Sequence, residues 1–480
     1  MSCLFTRSAQ NERTLSGTSR LVCMKPTVAI AGASGFIGRW FMHRYRDHYR
    51  FIALSRKKMK PSPPDSAIEW RQVDLYSLSG AQEALQGAHY AIYLVHSMRP
   101  STRLNQGSFD NTDILLADNF VRGAEANGVR QIVFLSGILP EKPGDSSRPL
   151  RSRQEVERTL KSTAVPLTAL RAGIIVGPGG TSFKVIERLV DRLPLMLCPK
   201  WSLSETQPIG LDDTLALIHE VLGNPSHYDA DYDIGGEKVT TYFDMLKTLA
   251  RLKGKRRWIY ALPFDLPGLS RLWVAFFSGL SPTMVSPLIE TLRWDLRVSP
   301  NPLMDDYEPR HSFEEAAQVA IAKGGEVPEL PILDAPPDRK EKNTVRSVQR
   351  LPNPGDRSAT WVARRYQTWL PRLFRYVLKV EQRGETSVFR IGPLELLHLK
   401  FIPSRSDADR QLFYIVGGRL VKRRDHGWLE FRRVLGGTYF ISAIHEFVPT
   451  LPWVVYNLSQ ALAHLWVMHR FGRYLESLEE

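Results

Sequence analysis

The run Gly32-Ala33-Ser34-Gly35-Phe36-Ile37-Gly38 directly follows the apolar stretch TVAIA and opens a segment of helical periodicity. Few arrangements satisfy that order. A buried strand must end in a turn tight enough to require Gly32. The backbone at Gly35 must lie open to a close-approaching group, and Gly38 must let the helix pack against the strand. The exposed N–H groups and the positive helix end then form a seat for an anion such as a pyrophosphate. Glycine triplets alone are common, but one placed between a strand and a helix is specific for this task.

The surrounding chain agrees with such a turn. After TVAIAGA come a helix over 37–46, the strand FIALSR, a strand over 89–95 and a helix over 111–127. QIVFLSG, a helix over 152–162, LTALRAGIIVG and the short strand YDIGG follow, with further helices expected from Tyr242 and from Ser286. Strands alternating with helices predict an α/β fold: a doubly wound parallel Rossmann sheet with a smaller substrate-side lobe. In a chain of 480 residues this accounts for 25–300 and leaves room for more. Pro, Asp, Lys and Arg accumulate over 301–360, as in PELPILDAPPDRKEK, which reads as a linker. Residues 361–480 carry LFYIVGG, WLEFRRV and YFISAIHEF ahead of a closing helix, a pattern for a C-terminal α+β domain.

Cofactor choice is read at the end of the second strand. A site for NAD carries an Asp or Glu there to bond the ribose 2′-hydroxyl. Here Ser55, Arg56 and Lys57 stand in that place, without an acid. A carboxylate would repel a 2′-phosphate, whereas a guanidinium grips one and stacks on adenine. The expectation is NADP(H) rather than NAD(H). The competing reading is that Arg56 and Lys57 only solvate a loop.

Charge and cysteine content narrow the remaining classes. The net charge of +14 favours anionic partners, but the basic residues are dispersed rather than interleaved with aromatics, which argues against nucleic acid. Three widely spaced cysteines give neither a disulfide framework nor a zinc set, and fit a reducing, cytoplasmic setting. His445-Glu446 lacks the second histidine of a zinc-protease helix, so no metal is expected, and no G-x-S-x-G elbow suggests a hydrolase. Residues 1–24 read as a disordered or spurious extension, with Met24 an alternative start. The uncharged stretch 447–468 is long enough to span a bilayer. However, Pro449 and Pro452 break its start, and Asn457, Gln460 and His464 fall on one face. An amphipathic helix from about Pro452 is expected, with no transmembrane span and with peripheral membrane contact left open.

The spacing G-x-x-G-x-x-G resembles the short-chain dehydrogenase/reductase superfamily, specifically its extended and atypical NAD(P)-binding branch. The likeness runs through Val73-Asp74-Leu75, YLVHSM at 93–98, QIVFLSG, the SRQEVE helix start, LRAGIIVG and YDIGG. By resemblance, Gly32, Ser34, Gly35, Phe36, Ile37 and Gly38 hold the pyrophosphate, and Ser55, Arg56 and Lys57 face the adenosine ribose. Asp74 and Leu75 lie over adenine, while Leu94, Val95 and His96 line the ribose–nicotinamide side. The superfamily also uses a Ser and a Tyr-x-x-x-Lys pair. Ser136 stands at the Ser position, Arg153 at the Lys position, and the Tyr position falls on Pro149.

Proline transfers no proton, and an arginine is permanently charged. Ser136, Arg153 and His96 are thus the candidates for chemistry, with His96 open to a purely structural role. Residues 361–480 resemble helix-grip ligand-binding folds, on LFYIVGGRLV, GWLEFRRV and AIHEFVPTLPWVVY. Trp453, Tyr456, Leu458, Leu462, Trp466 and Met468 would then line a cavity or fill a core. Two functions follow. One is a reductase acting on a small apolar carbonyl or enone without the Tyr–Lys pair. The other is a non-catalytic NADP(H) sensor or assembly factor whose second domain binds a lipid or a partner.

Overall fold

The computed structural model describes residues 25–96, 104–140, 147–264, 290–331, 344–423 and 427–478. The N-terminal extension and the start expected for a helix at Ser286 lie outside them. Aliphatic runs form Thr27–Ala31 (β1), Arg50–Ser55 (β2), Ile68–Gln72 (β3) and Tyr90–Tyr93 (β4), separated by helices Phe36–Tyr45 (α1) and Leu78–Ala84 (α2). The short strand Leu104–Gln106 (β5) leaves for a second sheet. Then come Phe109–Ala126 (α3), Ile132–Gly137 (β6), Arg148–Leu160 (α4), Leu167–Ala172 (β7), Thr181–Arg192 (α5) and Leu211–Val221 (α6). Ala230–Ile234 (β8), Tyr242–Leu252 (α7) and Phe313–Ala322 (α8) complete the first domain.

Its seven strands run parallel in the order β8-β7-β6-β4-β1-β2-β3. The strand order departs in opposite directions from β1, which opens a crevice at the carboxyl ends of β1 and β4. Alternation along β1 divides the core between the two faces. Val28 and Ile30 pack with Phe41 and Met42 of α1 and Ile218 of α6. Ala29 and Ala31 pack with Ile114, Leu115 and Phe120 of α3. The fold is therefore α/β and doubly wound. A lobe made by α5, α7 and α8 shares its own core of Phe183, Ile186, Met245, Leu249 and Ala317.

The second sheet is built from Val345–Pro352 (β9), Leu378–Arg383 (β10), Thr386–Ile391 (β11), Leu394–Phe401 (β12), Arg410–Gly417 (β13), Gly427–Val434 (β14) and Tyr439–Phe447 (β15). Its order is β10-β11-β12-β13-β14-β15-β9-β5, antiparallel except where β9 meets β5 of the first domain. Helices Ala359–Leu373 (α9), Trp453–Leu458 (α10) and Gln460–Glu476 (α11) lie on one face, where Phe440, Phe431 and Leu351 meet Trp369 and Phe471. The other face packs Val348, Ile441 and Ala443 into the core of the first domain around α3.

Two expectations need correction. The described parts of 301–360 are not linker: they contain α8, opened by a Ser312–Glu315 capping box, and β9, an interior strand of the second sheet, while most of PELPILDAPPDRKEK lies outside the described residues. The two arginines of β9 misled because they are paired in the fold rather than solvated. Arg346 and Arg350 point into the first domain and pair there with Asp74 and Glu155. The second correction concerns the closing helix, which is broken at Ser459 and buries only part of its expected apolar set: Trp453, Tyr456 and Met468 pack on the core. His464 faces the sheet and bonds Ser347, while Leu458, Leu462 and Trp466 face solvent.

Candidate functional site

The glycine turn needs its glycines for different reasons. Gly32 has φ +89°, and a Cβ there would sit 3.0 Å from the Leu94 carbonyl oxygen. At Gly38 a Cβ would approach Ala33 Cα and the Gly32 carbonyl oxygen at 2.8 Å, so helix and strand touch backbone to backbone. A Cβ on Gly35 would meet only the Gly32 carbonyl oxygen, at 3.0 Å, and otherwise enters the cleft. Gly35 caps α1 without a side-chain hydrogen bond, and the first-turn N–H groups of Phe36, Ile37 and Gly38 have no carbonyl within the helix to bond. That open cradle of donors fits a pyrophosphate.

A cleft of about 220 Å³ extends from this turn across the ends of β1, β2 and β4. Gly32, Ser34 and Gly35 line it, with Ser55 and Arg56 beyond β2. Asp74 and Leu75 form one wall, and Leu94, Val95 and His96 another. Phe36 and Ile37 instead pack against the core, Gly38 is buried, and Lys57 is exposed, its N–H donating to Ser55 Oγ at 3.1 Å. Ser97 and Met98 of the YLVHSM motif lie outside the described residues.

The Asp74–Leu75 wall holds what sequence reasoning missed. Asp74 Oδ2 accepts from Arg346 Nη2 of β9 at 2.7 Å. Arg346 also pairs with Glu446 and lies 4.2 Å over the Tyr76 ring, which itself lines the cleft. Asn119 donates to the Leu75 carbonyl at 2.8 Å and accepts from Arg432 of β14 at 2.6 Å. The second domain thus buttresses the cleft at two points. Only the excess of arginines in VRSVQRLP hinted at it.

At the opposite end, His96 Nδ1 lies 3.2 Å from Oδ2 of the buried Asp113, which also accepts from Ser152 Oγ at 3.4 Å. Burial and the Arg153 guanidinium hold His96 below its ordinary value, against the pull of Asp113. With Nδ1–H donated to Asp113, the neutral ring would present Nε2 as an acceptor. Ser136, ending the strand next to β4, is buried, and its Oγ has no hydrogen-bond partner among the described residues. Pro149 occupies the first turn of α4, capped by Ser147, and Arg153 follows one turn later, near Asp113 and Tyr93.

A second cavity, of about 180 Å³, lies between the second sheet and its helices. Leu370, Phe389, Leu399, Ile415 and Met468 line it, with Tyr366, Ser442 and His464 its polar side chains. Desolvation holds His464 down at about 4.

The NAD(P)H-binding family model matches residues 32–192. Auxiliary protein GraX of Staphylococcus aureus is 25% identical over 114 residues, a match spanning 24% of this chain and 37% of that protein's length. Among solved structures, a nucleoside-diphosphate-sugar epimerase from Staphylococcus aureus is 16% identical with a TM-score of 0.48, covering 61% of this chain and 99% of its own. The Citrobacter sp. triphenylmethane reductase complexed with NADP(H) is 18% identical with a TM-score of 0.47, over 61% and 99%. An NADPH-dependent quinone oxidoreductase from Escherichia coli is 16% identical with a TM-score of 0.45, over 60% and 98%. The first domain of this chain is an NAD(P)-binding Rossmann domain, and a separate antiparallel-sheet domain follows it.

Proposed function

We propose that this protein is a cytoplasmic NADP(H)-dependent oxidoreductase that exchanges a hydride with a small apolar carbonyl or enone without a Tyr–Lys pair. The observation that carries this reading is the single cleft joining the glycine turn, the acid-free end of β2 and the His96–Asp113 pair. A nicotinamide cofactor, when bound, supplies the hydride. The turn N–H groups bind its pyrophosphate, Arg56 grips the 2′-phosphate, and Asp74 holds adenine. Leu94 and Val95 beside His96 favour an uncharged, apolar substrate. Ser136 Oγ is buried and does not line the cleft, whereas Asp113 orients His96, which does. Arg153 stays charged and serves electrostatics, not proton transfer.

The decisive experiment follows deuterium from stereospecifically labelled NADPH into a panel of carbonyls and enones. Transfer from one face to at least one compound is the expected result. A second reading draws support from Pro149 and Arg153 at the Tyr and Lys positions and from the apolar cavity of the second domain. In it the chain binds NADP(H) as a sensor. NADPH binding with no consumption by any compound would transfer the function to that reading.

A further inference from the structure

One face of the second domain exposes apolar and cationic side chains together. Val454, Leu458, Leu462 and Trp466 succeed one another at intervals of four across α10 and α11, and are 72, 72, 55 and 46% exposed. The opposite side of α11 is occupied by Ala461, Met468 and Phe471 in the core, so these residues have no internal surface left to cover. The turn after α9 continues the patch, with the Phe374 ring 6.2 Å from Trp466 and Tyr376 and Val377 62 and 61% exposed. Arg375 and Tyr376 are both left-handed, with φ 48° and 61°. Consecutive non-glycine residues there cost the fold energy, and such strain gathers where a surface has a task.

The charge around the patch has one sign. Arg372, Arg375 and Lys379 are exposed at the turn, and Arg470 lies 5.7 Å over the Trp466 ring. Neither 357–380 nor 447–475 contains a single Asp or Glu. Of the acids next in sequence after the turn, Glu381 is paired with Arg383 and Arg390 and Glu395 with Arg383 and His398, while Glu385 is exposed in the hairpin turn between β10 and β11. Aromatic and aliphatic anchors rimmed by uncompensated arginines and lysines match an interfacial membrane site, in which rings and aliphatics enter the headgroup boundary and cations meet lipid phosphates.

We propose that this face docks the protein onto an anionic lipid bilayer, with Leu458, Leu462 and Trp466 inserted and Arg372, Arg375, Lys379 and Arg470 contacting phosphates. Flotation of the full chain with phosphatidylglycerol/phosphatidylcholine vesicles, against phosphatidylcholine alone, tests it. Binding is expected to the anionic vesicles, to weaken about fivefold for each cation replaced by Gln, and to fall with added salt. Leu462→Asp with Trp466→Asp should weaken it about tenfold or more. NADPH binding and thermal melting should stay unchanged in every variant, which separates failure here from failure of the cofactor reading. Should the Asp pair perturb folding, the Gln series alone decides. No binding by the wild type, or equal binding by the variants, overturns the proposal. So does a stable dimer that Leu462→Asp dissociates, since the face would then belong to a second copy.

Discussion

The glycine turn draws on seven consecutive residues and acts through backbone groups. The seam between the domains is assembled from side chains remote in sequence. Asp118 and Arg432 meet across 314 positions, Asp74 and Arg346 across 272, and Glu155 and Arg350 across 195. The turn tolerates almost no side chain, whereas the seam, beyond the short β5–β9 pairing, is held by side chains. A cluster of Arg410, Glu430, Arg432, Asp118 and His445 is buried there, each charge compensated by another. The contrast teaches that one cleft, lined throughout by the first domain, is shaped at one end by local backbone and braced at the other by side chains of the second domain.

The largest expected effect falls on the seam. Arg432→Met removes the buried guanidinium that Asp118 and Glu430 share, leaving them Arg122 and Arg410, and should cost about 3 kcal/mol in chemical denaturation. A loss below about 1 kcal/mol would mean that the seam is wetter than its burial indicates. The turn comes next. Gly35→Val puts a β-branched side chain into the space a pyrophosphate needs, and NADPH binding measured by calorimetry should weaken at least a hundredfold, about 2.7 kcal/mol, with the fold intact. Normal binding by the folded variant would move the phosphate site elsewhere.

Arg56→Asp probes the local wall at its ribose end. The wild type should prefer NADPH to NADH at least tenfold, about 1.4 kcal/mol, and the variant should lose or reverse this. Equal affinities in the wild type would remove Arg56 from the site. Arg346→Ala sharpens the comparison most, because Arg346 belongs to the seam and holds Asp74 of the cleft. With Asp74 released, NADPH should bind about fivefold more weakly while Arg350→Ala, its neighbour on the same strand face, leaves affinity unchanged. Equal effects from both would mean that general loosening, not Asp74, is responsible.

The smallest effect is expected at His96. Its lowered pKa leaves the imidazolium scarce at neutral pH. A donating His96 would make the reductive rate fall as pH rises through that pKa, and His96→Gln would cost about 10²–10⁴-fold. We expect a mild loss and a profile without a steep change between about pH 5 and 8, with water supplying the proton and His96 holding its place through Asp113.

The succession β1, turn, α1, β2 was legible because each element answers to its own residues: aliphatic alternation, glycines and helical spacing. The edge strand β3, IEWRQ, was not, since an edge position at the surface imposes no apolar periodicity. Strand β9 was read as linker, since its arginines looked solvated until the partners Asp74 and Glu155 were in place. Asp113 carried no motif at all, and only the packing of α3 beside β4 brings it to His96.

By itself, then, the sequence determined the nucleotide turn, the parallel sheet around it and the absence of an acid at the end of β2. These depend on neighbours within a few residues, where covalent geometry and local sterics act. Tertiary structure alone decided that Arg346 and Asn119 brace Asp74 and Leu75, that His96 pairs with Asp113, and that Leu458, Leu462 and Trp466 turn outward. Those outcomes depend on which desolvated charge or apolar face meets a complement far along the chain, and no short window of residues contains both partners.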